Sequence, residues 1–277
     1  MTRGGFTLVE LIVAVVVAGI LGTALAMLLV NDSRFVALQE GMLSARRTAR
    51  IGMNWMVSEM RVTTDSGLVA ASPDSVTIRV PYAFGTACDR SGSLLILSLV
   101  PADSLAYANA SPDGLAWRQS TGAYRFIQGV AASASTDTAV CTADSIRMVP
   151  RGKCVGVSGT PAGPPNQPVV GSIAYLYQTV TYKFAPSGDL PGRIGLWRRA
   201  GNSPYEELVA PFDTASGFGF LVGWSFQALD NPPADLSTVS GLELRIVGAS
   251  EFIPRGATRA QTSDLSLQVR FANLPAY

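Results

Sequence analysis

The side chains that could do chemistry are few in this sequence of 277 residues. It contains no histidine, which removes histidine-based triads, histidine metal sites and the usual proton shuttle at neutral pH. Its three cysteines, Cys88, Cys141 and Cys154, are too few and too widely spaced for a thiolate zinc site. No phosphate-binding loop or calcium-binding loop is present. We therefore predict a protein that is not an enzyme and holds no metal or cofactor.

One acidic residue, Glu10, has an unusual position, because it directly precedes a long apolar segment. Residues 11–30 carry no charge, and a helix of that length would cover about 30 Å, the hydrocarbon thickness of a bilayer. We predict that this segment spans a membrane. A carboxylate at its edge is favoured if it lies at the positive end of the helix macrodipole, or if a partner supplies an opposite charge. The position alone supports both explanations.

Small residues recur along the same segment at intervals of about one helical turn. They are Ala14, Ala18, Gly22 and Ala26. Such a stripe lets helices approach each other closely, so it predicts packing against the apolar helices of other subunits.

An ordinary secretory signal is the first alternative for this N-terminus. Arg3 gives a charged start, and Ala24-Leu25-Ala26 resembles a small-x-small cleavage site. Two features argue against it. Glu10 interrupts the beginning of the apolar region, and apolar residues continue past the proposed cut as far as Val30.

The N-terminal residues also form a specific motif. A short leader with Arg3 and Gly5 is followed by Phe6-Thr7-Leu8-Val9-Glu10 and the long apolar helix. This arrangement resembles the class III signal of type IV prepilins and type II secretion pseudopilins. The resemblance implies that a prepilin peptidase cleaves between Gly5 and Phe6 on the cytoplasmic side and that Phe6 is N-methylated. It also implies that Glu10 neutralises the terminal amine of a neighbouring subunit during assembly.

The same resemblance predicts where the protein resides. It implies a single pass through the inner membrane with an extracytoplasmic head, followed by transfer to a periplasmic pseudopilus or a surface pilus. The implied partners are other pilins, minor pilins or pseudopilins, the prepilin peptidase, the inner membrane and the assembly platform. An extracytoplasmic head permits one disulfide and leaves one thiol over. Cys141 with Cys154 closes the shorter loop, and Cys88 with Cys141 is the alternative pairing.

Beyond the membrane, the helical pattern continues. Apolar residues spaced by threes and fours predict a face that docks on the following domain, and they are Phe35, Leu38, Met42, Ala45, Ala49, Met53, Met56 and Met60. Asn31, Asp32 and Ser33 are helix-capping residue types, so two arrangements stay open: a break or kink where the chain leaves the membrane, or one unbroken helix of about 85 Å.

From residue 63 onward the pattern changes to alternating apolar residues with glycine, proline and serine turns, which is typical of β-strands. We predict an α+β fold: a leader at 1–5, a transmembrane helix at 6–32, an amphipathic helix at 33–63 and a mainly antiparallel β head at 64–277. Short strands are expected at 75–80, 94–100 and 124–130, and an aromatic strand face from Phe218 through Trp224 to Phe226. A proline- and glycine-rich surface loop is expected at 156–171.

The last hundred residues carry a second resemblance. A strand at 173–184, then Leu196-Trp197-Arg198, Glu207-Leu208-Val209, the aromatic strand and two final alternating strands are similar to PilW-type minor pilins and J-type pseudopilins. These have larger heads and a position at or near the filament tip. The segment 86–171 departs from that pattern.

These observations predict a structural subunit of a type IV pilus or type II secretion pseudopilus, in the tip or initiation complex. One alternative is a permanently anchored extracytoplasmic binding module. Another is a DNA-binding subunit of a DNA-uptake pilus, although a net charge of +1 predicts no electrostatic attraction to nucleic acid.

Overall fold

The computed structural model describes residues 7–64, 66–91, 94–135, 141–142, 151–160 and 167–272. A single long helix, α1, runs over Leu8–Met60 and leads into a β-rich head. The predicted α+β class, a long N-terminal helix packed on a mainly antiparallel sheet, is confirmed. At 1.5 Å per residue, the 53 residues of α1 extend about 80 Å.

Helix α1 passes through Asn31, Asp32 and Ser33 without interruption, so the unbroken helix is the correct one of the two predicted arrangements. The Ser33 hydroxyl donates a hydrogen bond of 2.9 Å to the Val30 carbonyl oxygen one turn earlier. This local bond satisfies the serine without ending the helix. The segments predicted to be transmembrane and amphipathic are therefore two parts of one helix.

Thirteen strands and one further helix make up the described part of the head. The strands are β1 Leu68–Ser72, β2 Ser75–Ser91, β3 Leu94–Leu99, β4 Gly114–Arg118, β5 Tyr124–Gln128, β6 Ala131–Ser135, β7 Lys153–Ser158, β8 Ile173–Pro186, β9 Ile194–Ala200, β10 Glu206–Phe212, β11 Gly217–Val222, β12 Val239–Ala249 and β13 Thr262–Arg270. Helix α2 is Pro101–Ala108, and a short 3-10 helix covers Leu236–Thr238. The strands expected at 75–80, 94–100 and 124–130 are found in β2, β3 and β5.

The strands form one sheet in the order β11-β12-β10-β9-β8-β2-β3-β7-β6. Strand β1 pairs with β2, β13 with β12, and β4 with both β5 and β8. The ladders between the named strands are antiparallel. The two longest strands, β2 and β8, pair from Ser75 and Lys183 to Thr86 and Ile173.

Strands β2 and β8 each contribute to two separate hydrophobic cores. The helix-side core joins α1 to the near halves of these strands and to β9–β13; its members include Ala49, Met53, Met56, Met60, Val76, Ile78, Tyr182, Phe220, Leu242 and Leu244. The distal core joins their other halves to β3, β4 and β7; its members include Ala83, Ala87, Leu95, Leu97, Leu115, Trp117, Val155 and Leu176. The strands described within the segment 86–171, β3 to β7, therefore extend the same sheet.

The predicted docking face of the helix is correct over its second half. Ala45, Ala49, Met53, Met56 and Met60 are buried against the head. Phe35 and Met42, nearer the apolar N-terminal part of the helix, are 58% and 54% exposed. The head therefore covers only the C-terminal part of the stripe.

Two details of the predicted head are wrong. The loop expected at 156–171 starts later, because β7 continues to Ser158, where it pairs with Ala131 of β6. Residues 161–166 of that loop lie outside the described residues. The aromatic strand β11 stops at Val222, since Gly223 turns the chain with φ +56°. Trp224 and Phe226 consequently lie in a loop, 63% and 82% exposed.

The disulfide joins Cys88 to Cys141, the second of the two predicted pairings. The other predicted pairing, Cys141 with Cys154, is not the one formed, because the number of residues between two cysteines does not determine which pair the fold brings together. Cys88 lies at a bulge of β2 and Cys154 in β7, and β3 separates these two strands. All three sulfurs nevertheless share one buried cluster, with the Sγ atoms of Cys141 and Cys154 3.4 Å apart.

Peptide mapping of the alkylated, non-reduced protein is expected to recover Cys88 linked to Cys141. In Cys88→Ser, the proximity of the other two sulfurs predicts a replacement bond between Cys141 and Cys154. Mass spectrometry of tryptic digests distinguishes the two pairs. A Cys141–Cys154 link in the wild-type protein would contradict the observed pairing.

Candidate functional site

The first turn of α1 is fixed by a capping box between Thr7 and Glu10. The Glu10 amide donates to Thr7 Oγ1 over 3.3 Å, and the Thr7 amide donates to Glu10 Oε2 over 3.0 Å. The Thr7 hydroxyl also donates to Glu10 Oε2, again over 3.0 Å. This reciprocal arrangement satisfies two amides that a helix start otherwise leaves without partners, so it fixes the first turn.

The capping box gives Glu10 a role within its own chain. Its carboxylate lies in the first turn, near the positive end of the helix macrodipole, as the first explanation of this residue requires. Both hydrogen bonds to the carboxylate go to Oε2, so Oε1 has no hydrogen-bond partner among the described residues. That oxygen can accept from a group outside the chain. Gly5 and Phe6, the residues of the predicted cleavage and methylation site, lie outside the described residues.

The head covers no part of the apolar N-terminal half of α1. Ala14, Ala18, Gly22 and Ala26 are all exposed, and a Cβ atom added at Gly22 would meet no atom within 4 Å. Their larger neighbours, such as Leu11, Ile20 and Leu25, are about as exposed, at 60%, 63% and 62%. A contiguous apolar surface of this extent requires a bilayer or other helices around it.

This helix lies near the N-terminus and is long and apolar enough to cross a membrane. A family model described as the prokaryotic N-terminal methylation motif matches residues 1–26. The chain carries a type IV pilin-like class III signal peptide. It is thus a pilin- or pseudopilin-like protein over its N-terminal part, and the motif and the apolar helix together are consistent with membrane anchoring. No curated protein and no solved structure matches the chain.

The pilin-like helix is joined to the head by a polar cluster that the sequence did not reveal. Arg198 of β9 contacts Glu59 of α1 through Nη2 and Oε1, 2.6 Å apart, and through Nε and Oε2, 3.3 Å apart. The Tyr182 hydroxyl of β8 donates to Glu59 Oε2 over 2.7 Å. The Glu59 and Arg198 side chains are 19% and 23% exposed, so water screens this pair only in part.

The cluster was missed because its partners are distant along the chain. Glu59 and Arg198 are 139 residues apart, and nothing local marks their pairing. The one available signal was that Glu59 directly precedes Met60 of the buried stripe, close to the edge of the docking face. The cluster fixes the rotation of the helix relative to the sheet, because a bidentate pair with a third donor has few alternative geometries.

We expect the head to lose stability in alkali, with Tyr182 as one cause. Burial raises the pKa of Tyr182 above its ordinary value, and the charge of Glu59 raises it further. The folded state therefore holds the phenol proton more tightly than the unfolded state, whose tyrosine pKa is about 10. This contribution to stability is fully present below pH 10 and is lost as the pH rises above it.

Urea unfolding of the full chain in detergent at pH 8 and pH 11 measures this effect. Tyr182→Phe is the matched variant, because it keeps the ring and removes the titrating group. Its stability is expected to fall less between the two pH values than that of the wild type. If the free energy of unfolding fell equally in both proteins between pH 8 and pH 11, Tyr182 would not be a cause of the loss.

Proposed function

We propose that this protein is a minor pilin or pseudopilin, a structural subunit that acts by assembly and catalyses no reaction. It is inserted with a single pass, cleaved after Gly5, N-methylated at Phe6 and drawn from the membrane into a filament. The observation that carries the proposal is the methylation motif over residues 1–26, which continues directly into an exposed apolar helix carrying a folded head.

The chemistry of the first turn supports subunit pairing through Glu10. Cleavage after Gly5 would leave Thr7 and its amide in place, so the capping box would persist in the processed chain. Glu10 Oε1 would then remain available for the methylated amine of Phe6 on a neighbouring subunit. In an apolar filament core an unpaired carboxylate is strongly unfavourable, so such pairing would favour one register of neighbouring helices.

A position in the tip or initiation complex is supported by the place of the distal core. Thr64, four residues past the end of α1, shares a 2.7 Å hydrogen bond with the hydroxyl of Tyr175, at the start of β8. The distal core contains no residue of α1, whereas the helix-side core contains Ala49 to Met60. With the contact at Thr64, this supports a place for the distal core beyond the C-terminal end of the helix. A subunit stacked above this one in a filament would have to occupy that space, which favours a terminal position.

Mass spectrometry of the N-terminus tests the proposed function. The protein is purified from membranes of its native host, or from cells that also express a prepilin peptidase. The expected product begins at N-methylated Phe6. An intact Met1 in the presence of active peptidase would overturn the proposal and favour a permanently anchored binding module. A terminus near Met27 would overturn it in favour of a secreted soluble protein.

A further inference from the structure

The three cysteines meet in one buried cluster on the sheet face opposite the distal core. Cys88, Cys141 and Cys154 are 0%, 0% and 2% exposed. The strand neighbours of two of them, Ala87 and Val155, belong instead to the distal core. Successive side chains of a strand point to opposite faces of a sheet. Cys88 of β2 and Cys154 of β7 therefore project on the same side, where Cys141 lies between the two strands.

Cys141 carries the sulfur that both strands reach. It is bonded to Cys88, and its Sγ lies 3.4 Å from that of Cys154. Cys154 keeps its thiol. A disulfide and a thiol in contact are the two reactants of thiol–disulfide exchange, in which a thiolate attacks one sulfur of a disulfide and displaces the other. The cluster therefore holds one disulfide and a second position to which that bond can move.

The separations along the chain favour the second position while the chain is unfolded. Cys141 and Cys154 are 13 residues apart, whereas Cys88 and Cys141 are 53 apart. Loop closure becomes less probable with about the 3/2 power of loop length, so the shorter loop closes about eight times more readily. The structure nevertheless contains the longer loop. The folded head therefore favours Cys88–Cys141 by more than the factor that favours the other pair in the unfolded chain.

We propose that Cys154 is an exchange thiol of oxidative folding, which forms the first disulfide and then passes it to Cys88. An external disulfide first oxidises the thiols of Cys141 and Cys154 and is itself reduced to two thiols. As the strands assemble, the Cys88 thiolate attacks Cys141 Sγ. The Cys88–Cys141 bond forms and the Cys141–Cys154 bond breaks. Cys154 leaves as a thiolate and takes up a proton in place of the one that Cys88 lost, so this second step needs no oxidant.

The folded cluster then holds the native pair. Exchange requires a thiolate, and a charged sulfur is strongly unfavourable among buried apolar groups. The three sulfurs share their cluster with Ile96 and have almost no exposure to water. Pairing of β2, β3 and β7 completes this cluster, so exchange is fast while the strands assemble and slow afterwards. Cys154 consequently speeds the formation of the native bond and takes no part in the finished one.

Oxidative refolding of the full chain in detergent tests the proposal. Reduced, denatured protein is diluted at pH 8 into glutathione disulfide, and samples are quenched with acid at successive times. Mass spectrometry of alkylated digests identifies the pairs. Cys141–Cys154 is expected to appear first and to decline as Cys88–Cys141 rises. Accumulation of Cys88–Cys141 with no earlier Cys141–Cys154 would overturn the proposal.

A second experiment separates internal exchange from reduction followed by new oxidation. The acid-quenched Cys141–Cys154 species is purified without alkylation and returned to pH 8 with no oxidant present. It is expected to convert to Cys88–Cys141 at a rate that does not depend on protein concentration. Persistence of the first pair would overturn the proposal, and a rate that rises with protein concentration would replace it with exchange between chains.

Removing the exchange thiol measures its contribution. Cys154→Ala is expected to reach Cys88–Cys141 about eightfold more slowly than the wild type, because only the longer loop can close. Ser158→Ala is the matched control, since it changes the same strand and keeps all three cysteines. It should form the native pair at the wild-type rate. Equal rates in Cys154→Ala and Ser158→Ala would overturn the proposal, and Cys154→Ser replaces Cys154→Ala if that variant does not fold.

Discussion

Replacing Glu10 with valine is expected to leave the protein in the membrane and abolish its incorporation into filaments. Insertion depends on the apolar residues 11–30, and removing a carboxylate from their edge makes it more favourable. Assembly, in contrast, would lose the group proposed to pair with the Phe6 amine. Immunoblots of the sheared filament fraction and of the membrane fraction, from the native host, measure both effects.

Two further variants separate charge pairing from helix capping. Glu10→Gln keeps an oxygen that can accept from Thr7 and removes the charge, so it is expected to fail in assembly. Thr7→Val removes the hydroxyl of the capping box and keeps the carboxylate. It should weaken the first turn by about 1 kcal/mol and still assemble. Normal incorporation of Glu10→Val or Glu10→Gln would contradict the pairing of Glu10 with an amine.

The parts of the fold that depend on local pattern were predictable from the sequence. The helix follows from an uncharged stretch continued by apolar residues at threes and fours, and both are properties of neighbouring residues. The same locality explains why the sequence at Asn31, Asp32 and Ser33 did not decide between a break and an unbroken helix. Their capping preference is worth only about 1 kcal/mol, and the helix continues on both sides. A weak local stop signal does not end a helix that long flanking segments favour.

The parts that depend on pairing between distant residues were not predictable. Strand β8 pairs with β2 across about a hundred residues, and the strands β3 to β7 described between them extend the same sheet. The disulfide follows the same rule, because Cys88 and Cys141 are 53 residues apart in the chain and no local pattern marks their contact. Glu10 was selected from the sequence, and its capping box with Thr7 is a local feature, since the two residues contact each other within one turn.

Adding one methyl group at Gly248 is expected to separate the helix from the head. This glycine of β12 lies directly under α1, where a Cβ atom would fall 2.1 Å from the Ala45 carbonyl oxygen. It would also fall 2.9 Å from both the amide nitrogen and the Cβ of Ala49. Ala45 and Ala49 are themselves fully buried, so the helix backbone can relieve the overlap only by moving away.

Gly248→Ala should therefore destabilise the protein by about 3 kcal/mol, the upper end for overpacked cores. For a head of this size that corresponds to a fall of about 10 °C in Tm, measured by circular dichroism of the full chain in detergent. Gly156→Ala in β7 is the matched control, because its added Cβ would meet no atom closer than 3.5 Å. It should change stability by less than about 0.5 kcal/mol. Equal Tm values for the two variants would mean that α1 does not lie on β12 as closely as described. The docking of the helix on the head would then have to be revised.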